Sequence, residues 1–128
     1  MLNTLLVMIG GAIGAALRYQ LGHASLRVMG PGYPWGTLAA NVLGGFLMGA
    51  LIGWLAVRYQ GQHSEQIRLL LAVGVLGGFT TFSAFSLETM LMFERGELLS
   101  ALGYILLSVA ASIGALALGM TIMRSAAA

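Results

Sequence analysis

Long apolar stretches separated by short polar ones run along the whole sequence. Dividing the chain at its charged residues leaves four apolar segments: residues 1–17 with an extension past Arg18, 36–57, 69–87 and 98–123. A helix needs about 20 apolar residues to cross a bilayer, and each segment meets or approaches that length. The pattern predicts an all-α membrane protein in which residues 1–128 form one domain of four transmembrane helices.

The composition supports a membrane protein and excludes several other classes. Hydrophobic residues make up 59% of the chain and charged residues 8%, against about 25% charged in soluble domains. A net charge of +2 is too small to indicate nucleic-acid binding. The absence of cysteine excludes disulfide and thiol chemistry. No basic residue precedes the first apolar core, so we interpret this segment as a retained helix, not a cleaved signal peptide.

The arginines are divided evenly between the two predicted sides of the membrane. One side has Arg58, Arg68 and Arg124, and the other has Arg18, Arg27 and Arg95. Orientation is normally set by an excess of lysine and arginine in cytoplasmic loops, and here neither side has one. We therefore predict insertion in both orientations and an antiparallel homodimer with inverted symmetry. The alternative is that other features select one orientation.

The third apolar segment contains the stretch "GGFTTFSAF", residues 77–85, which is poor material for a continuous helix. Glycine holds a helix weakly, and the hydroxyls of Thr80, Thr81 and Ser83 compete for backbone hydrogen bonds. We predict an interruption between residues 77 and 81. Carbonyls freed at membrane depth commonly coordinate a cation. The alternative is an intact helix whose hydroxyls bond the preceding turn.

Two sets of side chains share helix faces in a way that suits a narrow anion path. Phe82 and Phe85 follow the predicted interruption three residues apart, and ring edges carry partial positive charge. Tyr104, Ser108 and Ser112 form a hydroxyl stripe at intervals of four. The alternative for the rings is packing against lipid or a neighbouring helix. The alternative for the hydroxyls is helix packing.

Other polar and small residues within the apolar segments need partners. Asn41 must either bond a neighbouring helix or offer its amide donors to a permeant species, because an unsatisfied amide in hydrocarbon is costly. Arg18 either reaches the headgroups or faces water or protein. The glycines at positions 45, 49 and 53 favour close packing of the second helix against another.

No group of residues indicates catalysis. Serine, histidine and carboxylate are never placed together as a nucleophile would require. The sequence "GGAIGA" lacks the lysine and the strand-helix context of a phosphate-binding loop. His63 near Glu65 is a weak signal for a metal site. We predict that the chain is not an enzyme.

Three stretches together carry a resemblance to a known family. They are "GGAIGAALRY" in the first predicted helix, "WGTLAANVLGGFLMG" in the second and "GVLGGFTTFSAF" in the third. With these motifs the chain resembles the Fluc family of bacterial fluoride channels, once described as camphor-resistance proteins. The resemblance extends over essentially the whole chain. Ala84 departs from it, since relatives often have threonine or serine at that position.

The resemblance implies a passive fluoride channel of the bacterial inner membrane that confers fluoride resistance. It implies a dual-topology antiparallel homodimer in the lipid bilayer, with two pores. The implied fluoride-path residues are Asn41, Phe82, Ser83, Phe85, Tyr104, Ser108, Ser112 and Arg18. It further implies a structural sodium ion at the dimer centre, held by the main-chain carbonyls of Gly77 and Thr80, and no organic cofactor.

Two other functions remain open at the level of sequence. A small dual-topology multidrug exporter is also built from four short helices, but it needs an intramembrane carboxylate to exchange protons for a cationic drug. The first two apolar segments contain no acidic residue. A noncatalytic helical subunit of a larger complex is the second alternative.

Overall fold

The computed structural model describes residues 1–58, 61 and 63–128, and its regular structure is helical throughout. The elements in order are α1 Leu2–Met29, α2 Trp35–Arg58, α3 Ser64–Ile67, a π-helix Arg68–Leu76, α4 Gly77–Phe79, α5 Phe82–Glu94 and α6 Leu98–Ala127. The elements from α3 to α5 follow one another along a single span, Ser64–Glu94. Among the residues described, four spans are therefore long and apolar enough to cross a membrane, which confirms the predicted all-α, four-helix architecture.

The helices extend beyond the apolar segments from which they were predicted. The first helix continues past Arg18 and Arg27 to Met29. The third span begins at Ser64, in a stretch that the sequence analysis divides off as polar, and continues past residue 87 to Glu94. Charged residues mark where the apolar surface ends, whereas a helix can continue into the headgroup region with its side chains solvated.

The four spans pair through glycine-lined contacts. In the first pair, α1 lies against the π-helix with the backbones of Gly10 and Gly74 in contact. In the second, α2 lies along α6, and its glycines at positions 45, 49 and 53 face the α6 backbone. Without a Cβ atom, two helix backbones can approach closely, which is how helices associate where there is no hydrophobic drive between them. The predicted packing role of the α2 glycine repeat is confirmed.

Large apolar side chains cover the outside of the helices. Only 11% of the most apolar stretch of α1, and the same share of α6, is buried within the chain. Leu99, Leu106 and Ile113 of α6 are among the exposed aliphatic residues. So much exposed apolar surface would be unfavourable in water and is typical of helices that face lipid.

The helical path of the third span is interrupted at two threonines. The helix ends at Phe79, and Thr80 and Thr81 adopt extended backbone angles with ψ of 158° and 122°. The Thr81 hydroxyl accepts a hydrogen bond from the Ala84 N–H at 3.1 Å and so caps the start of α5. The predicted interruption is confirmed, but it is narrower than the predicted range, since Gly77 and Gly78 are helical.

The hydroxyl of Thr80 behaves as the continuous-helix alternative expected. It donates a hydrogen bond to the Leu76 carbonyl, one turn earlier, at 3.0 Å. The helix ends nevertheless, because the backbone N–H of the next residue, Thr81, finds a partner outside the helix.

A buried cluster fixes the helices around this interruption. Its members are Leu38 of α2, Phe85 and Met92 of α5, and Ala101 and Tyr104 of α6. Met92 and Tyr104 are its largest fully buried side chains. The cluster therefore holds α2, α5 and α6 together on the C-terminal side of the interruption.

Candidate functional site

A groove of about 370 Å³ opens where the interrupted span faces α2 and α6. It is lined by Asn41, Thr80, Thr81, Phe82, Phe85, Ser108, Val109, Ser112 and Ile113. The fold thereby gathers five of the eight residues that the resemblance implies for the fluoride path, and these lie on three different spans. These five are Asn41, Phe82, Phe85, Ser108 and Ser112.

Asn41 holds the interruption in place. Its side-chain oxygen accepts the Thr81 N–H at 2.7 Å, and its side-chain nitrogen donates to the Thr81 carbonyl at 2.9 Å. The carboxamide thus pairs with one extended residue as a neighbouring strand would. One of its two amide hydrogens is left over from this pairing. Asn41 therefore satisfies the predicted need for a neighbouring partner and keeps one donor at the groove.

Ser108 and Ser112 bring two buried hydroxyls to the α6 side of the groove. They lie one helical turn apart, and both residues line the groove. Neither hydroxyl oxygen has a hydrogen-bond partner among the described residues, although both atoms are buried. A buried hydroxyl that has no protein partner is free to donate to a species in the groove.

The two phenylalanines of α5 stand in different environments along this groove. Their ring centroids are 5.5 Å apart, but Phe82 is 77% exposed whereas Phe85 is 8% exposed. Phe85 also packs against Tyr104, with 5.2 Å between ring centroids. Tyr104 is completely buried, and its hydroxyl interacts with Glu88 and Thr37. It packs against Phe85 and does not itself line the groove.

Two further predicted site residues lie outside the groove. The Ser83 hydroxyl is exposed and lies 3.4 Å from the Thr81 hydroxyl. Arg18 borders a separate cleft with Tyr19 and His23. Its Nε donates to the Gly78 carbonyl at 3.4 Å, just before the interruption. Arg18 therefore contacts the interrupted span from the α1 side.

The interruption deprives two main-chain carbonyls of their regular helical partners. In a continuous helix the Thr81 N–H would bond the Gly77 carbonyl, but here it donates to Asn41. Likewise the Ala84 N–H, which would bond the Thr80 carbonyl, donates to the Thr81 hydroxyl. Gly77 and Thr80 are the residues from which a backbone cation site was predicted. Two carbonyl oxygens without helical partners are chemically suited to a small hard cation.

The sequence analysis did not select Glu88, which has a notable environment. It lies within α5 with its Oε1 atom buried, and its carboxylate interacts with Thr37 and Tyr104. A cleft of about 270 Å³ is lined by Glu88 together with Tyr33, Thr37 and Arg95, among others. Burial raises the pKa of Tyr33 in the connecting turn, so its phenol stays neutral. The signal that could have revealed it in the sequence was a lone carboxylate in a stretch rich in leucine and methionine.

The weak metal signal at His63 and Glu65 is explained by local pairing. The His63 Nδ1 atom lies 2.9 Å from Gln66 Oε1, and Glu65 forms an ion pair with Arg68 at 2.7 Å. Within residues 1–58, 61 and 63–128, no group of three or more histidine, cysteine or acidic side chains is placed to hold a metal ion.

Comparison with known proteins identifies the family. The model of the family described as "CrcB-like protein, Camphor Resistance (CrcB)" matches residues 5–120. The chain belongs to the CrcB family. Among its curated relatives, "Fluoride-specific ion channel FluC" of Rhizobium leguminosarum bv. trifolii is 50% identical over 127 residues, covering 99% of this chain and 100% of the relative.

Two other CrcB-family relatives with the same name give similar results. The protein from Phenylobacterium zucineum is 58% identical over 120 residues, and the one from Caulobacter vibrioides is 52% identical over 120 residues. Each match covers 94% of this chain and 94% of the relative. Family membership and four apolar spans together make the chain a multi-pass membrane protein.

Proposed function

We propose that this chain forms a fluoride-selective ion channel that exports fluoride passively across the cytoplasmic membrane and so confers fluoride resistance. The relatives described above are named as fluoride-specific ion channels and match the chain from end to end. A channel moves an ion without transforming it, so the chain is not an enzyme.

The observation that carries this proposal is the pair of buried, unpartnered hydroxyls of Ser108 and Ser112 in the groove. Fluoride holds its hydration water strongly, and a pore must replace that water with donors. The two hydroxyls and the free amide hydrogen of Asn41 supply conventional hydrogen bonds. The rings of Phe82 and Phe85 contribute the positive edges of their quadrupoles.

Passive export needs no energy source within the protein. Fluoride enters acidified cells as the neutral acid, dissociates inside, and leaves through the channel down its electrochemical gradient. The path requires donors and a narrow bore, not a nucleotide site.

The working unit we propose is an antiparallel homodimer with two pores. Phe82 lies at the edge of the groove with 77% of its surface exposed, and the groove is open on that side. A second copy in inverted orientation would cover this ring and close the groove into a pore. The even division of arginines between the two sides is consistent with insertion in both orientations.

A structural sodium ion would fit at the interruption. The main-chain carbonyls of Gly77 and Thr80 would hold it, since both have lost their regular helical partners. Such an ion would bond these two carbonyl oxygens in place of the helical N–H donors. Replacing sodium by N-methyl-D-glucamine is then expected to lower the thermal stability of the purified dimer.

Fluoride release from liposomes that contain only this protein tests the proposed function. A fluoride-selective electrode is expected to record rapid release without proton exchange. Absence of release would refute the channel, and release from protein-only vesicles would exclude the alternative of a subunit that needs a larger complex.

The multidrug-exporter alternative gains one observation from the structure, because Glu88 places a partly buried carboxylate in the third span. An exporter would use such a group to exchange protons for a cationic drug. Proton-coupled uptake of a lipophilic cation, abolished by Glu88→Gln, would favour this alternative. The channel instead predicts no such uptake.

A further inference from the structure

Two adjacent glycines of α2 face two different walls of the groove. A Cβ atom added to Gly44 would collide with the Cγ2 methyl of Thr80 in the interruption. A Cβ atom added to Gly45 would lie 2.8 Å from the Ser112 carbonyl oxygen of α6. Real Cβ atoms essentially never approach other heavy atoms below 3.0 Å. At this turn, there is therefore no room for a methyl group between α2 and either wall.

The groove begins where the run of glycine contacts between α2 and α6 ends. The glycines at positions 45, 49 and 53 face the backbone of Ser112, Leu116 and Met120, so the two helices run in the same direction in steps of four residues. One further step toward the N-terminus of each helix leads to Asn41 and Ser108, which both line the groove. Gly45 is therefore the last of these glycine contacts before the groove.

We propose that Gly44 and Gly45 are positioning residues that set the width of the groove and thereby the size of the anion it admits. Gly45 fixes the distance from Asn41 to the serine hydroxyls, and Gly44 fixes the distance from α2 to the interruption. This inference rests on the proposed fluoride function. An anion path discriminates by its diameter and by how closely its donors fit the dehydrated ion. A shift by one methyl group would widen the path and favour the larger chloride ion.

The matched pair Gly45→Ala and Gly53→Ala tests the α6 wall. In both variants the added methyl group meets a carbonyl oxygen of α6 at 2.8 Å, but the Gly53 contact is two turns farther from the groove. Fluoride and chloride release from liposomes would be measured for each. We expect the chloride-to-fluoride flux ratio to rise about tenfold or more in Gly45→Ala, the size of effect that one methyl group has on discrimination by a binding pocket. In Gly53→Ala the ratio should stay near that of the wild type.

The outcomes separate this inference from the proposed function. An unchanged ratio in Gly45→Ala, or equal changes in both variants, would overturn the positioning role. Wild-type protein that releases no fluoride would instead refute the proposed function itself.

A compensating pair tests the wall formed by the interruption, and does so even where Gly45→Ala fails to fold. Thr80→Ser removes the methyl group with which the Cβ of Gly44→Ala would collide, leaving a 3.3 Å contact with the Phe79 ring. We expect Gly44→Ala to lower fluoride flux, and the double variant Gly44→Ala/Thr80→Ser to return to the flux of Thr80→Ser alone. A double variant no better than Gly44→Ala would overturn the assignment of Gly44.

Discussion

At the scale of single residues, Asn41 links structure and conduction most directly. Its carboxamide both donates to and accepts from the backbone of Thr81, and its remaining amide hydrogen is a donor at the groove. No hydrophobic residue could make this pair of hydrogen bonds. One side chain therefore maintains the interruption and supplies a donor beside it.

Asn41→Asp keeps the shape of this side chain but removes its donors. The aspartate can still accept from the Thr81 N–H, but its second oxygen faces the Thr81 carbonyl, and its charge repels an anion. We expect fluoride flux, measured by electrode from liposomes, to fall at least about tenfold, the consequence of losing roughly 1.4 kcal/mol of stabilisation. Asn3→Asp, at the exposed start of α1, is the control and should conduct normally. Undiminished flux in Asn41→Asp would contradict the role given to Asn41.

Because the two phenylalanines differ in burial, substituting them separates effects on stability from effects on conduction. We expect Phe82→Ile and Phe85→Ile each to cut fluoride flux strongly, because an aliphatic side chain has no positive ring edge. Only Phe85→Ile should also lower the thermal midpoint of the protein, since Phe85 is 8% exposed and Phe82 is 77% exposed. Unaltered flux in both variants would remove the rings from the mechanism.

At the scale of elements, the interruption in the third span organises the site. Thr81 ends the preceding helical path, pairs with Asn41, and caps α5 with its hydroxyl. Because of this one residue, two carbonyls lose their regular helical partners and α5 begins where it does. The start of α5 in turn places Phe82 and Phe85 along the groove.

Thr81→Val keeps the shape of the side chain while removing the cap. We expect a loss of about 1 kcal/mol of stability, as for other N-cap threonines, together with reduced fluoride flux. Thr121→Val is the control, because the Thr121 hydroxyl bonds the Ala117 carbonyl within α6, far from the groove. Thermal melts and electrode recordings of both variants would test this. Equal losses of stability and flux in the two variants would contradict a specific role for the Thr81 cap.

Periodicity and residue type predicted the elements better than their ends or their contacts. The apolar lengths predicted four spans, and "GGFTTFSAF" predicted the interruption, because glycine and hydroxyl residues disfavour a helix locally. The sequence could not show that Asn41 pairs with Thr81, since that contact joins residues forty positions apart. Nor could it show that Tyr104 packs against Phe85 and does not line the groove. A spacing of four places residues on one face of a helix, but it does not show which neighbouring residues that face contacts. Glu88, by contrast, was visible in the sequence as a lone carboxylate in an apolar stretch, but its burial and its cleft were not.

At the scale of the whole molecule, the proposed insertion in both orientations rests on the even division of arginines between the two sides. Each copy alone has a groove that is open beside Phe82. The proposed inverted partner would close it. Orientation is thus expected to control function through assembly, not through the structure of the single chain.

Adding two lysines after Ala128 tests this expectation, since added charges at the C-terminus can fix the orientation of a membrane protein. We expect this variant alone to conduct poorly, because every copy would share one orientation. A variant with two lysines in the turn between α1 and α2 should take the opposite orientation. Expressing the two variants together should restore fluoride resistance in cells. Full resistance from either one alone would contradict the antiparallel dimer.

The chain contains no cysteine, so a single introduced thiol can probe the groove without interference. Silver ions should stop fluoride release through Ser112→Cys, whose side chain would lie in the conducting path. They should have no effect on Leu106→Cys, at a position of α6 that is 70% exposed on the outer surface, or on the parent protein. Continued fluoride release through Ser112→Cys, with mass spectrometry showing silver bound to its thiol, would contradict the assignment of this groove as the path of the ion.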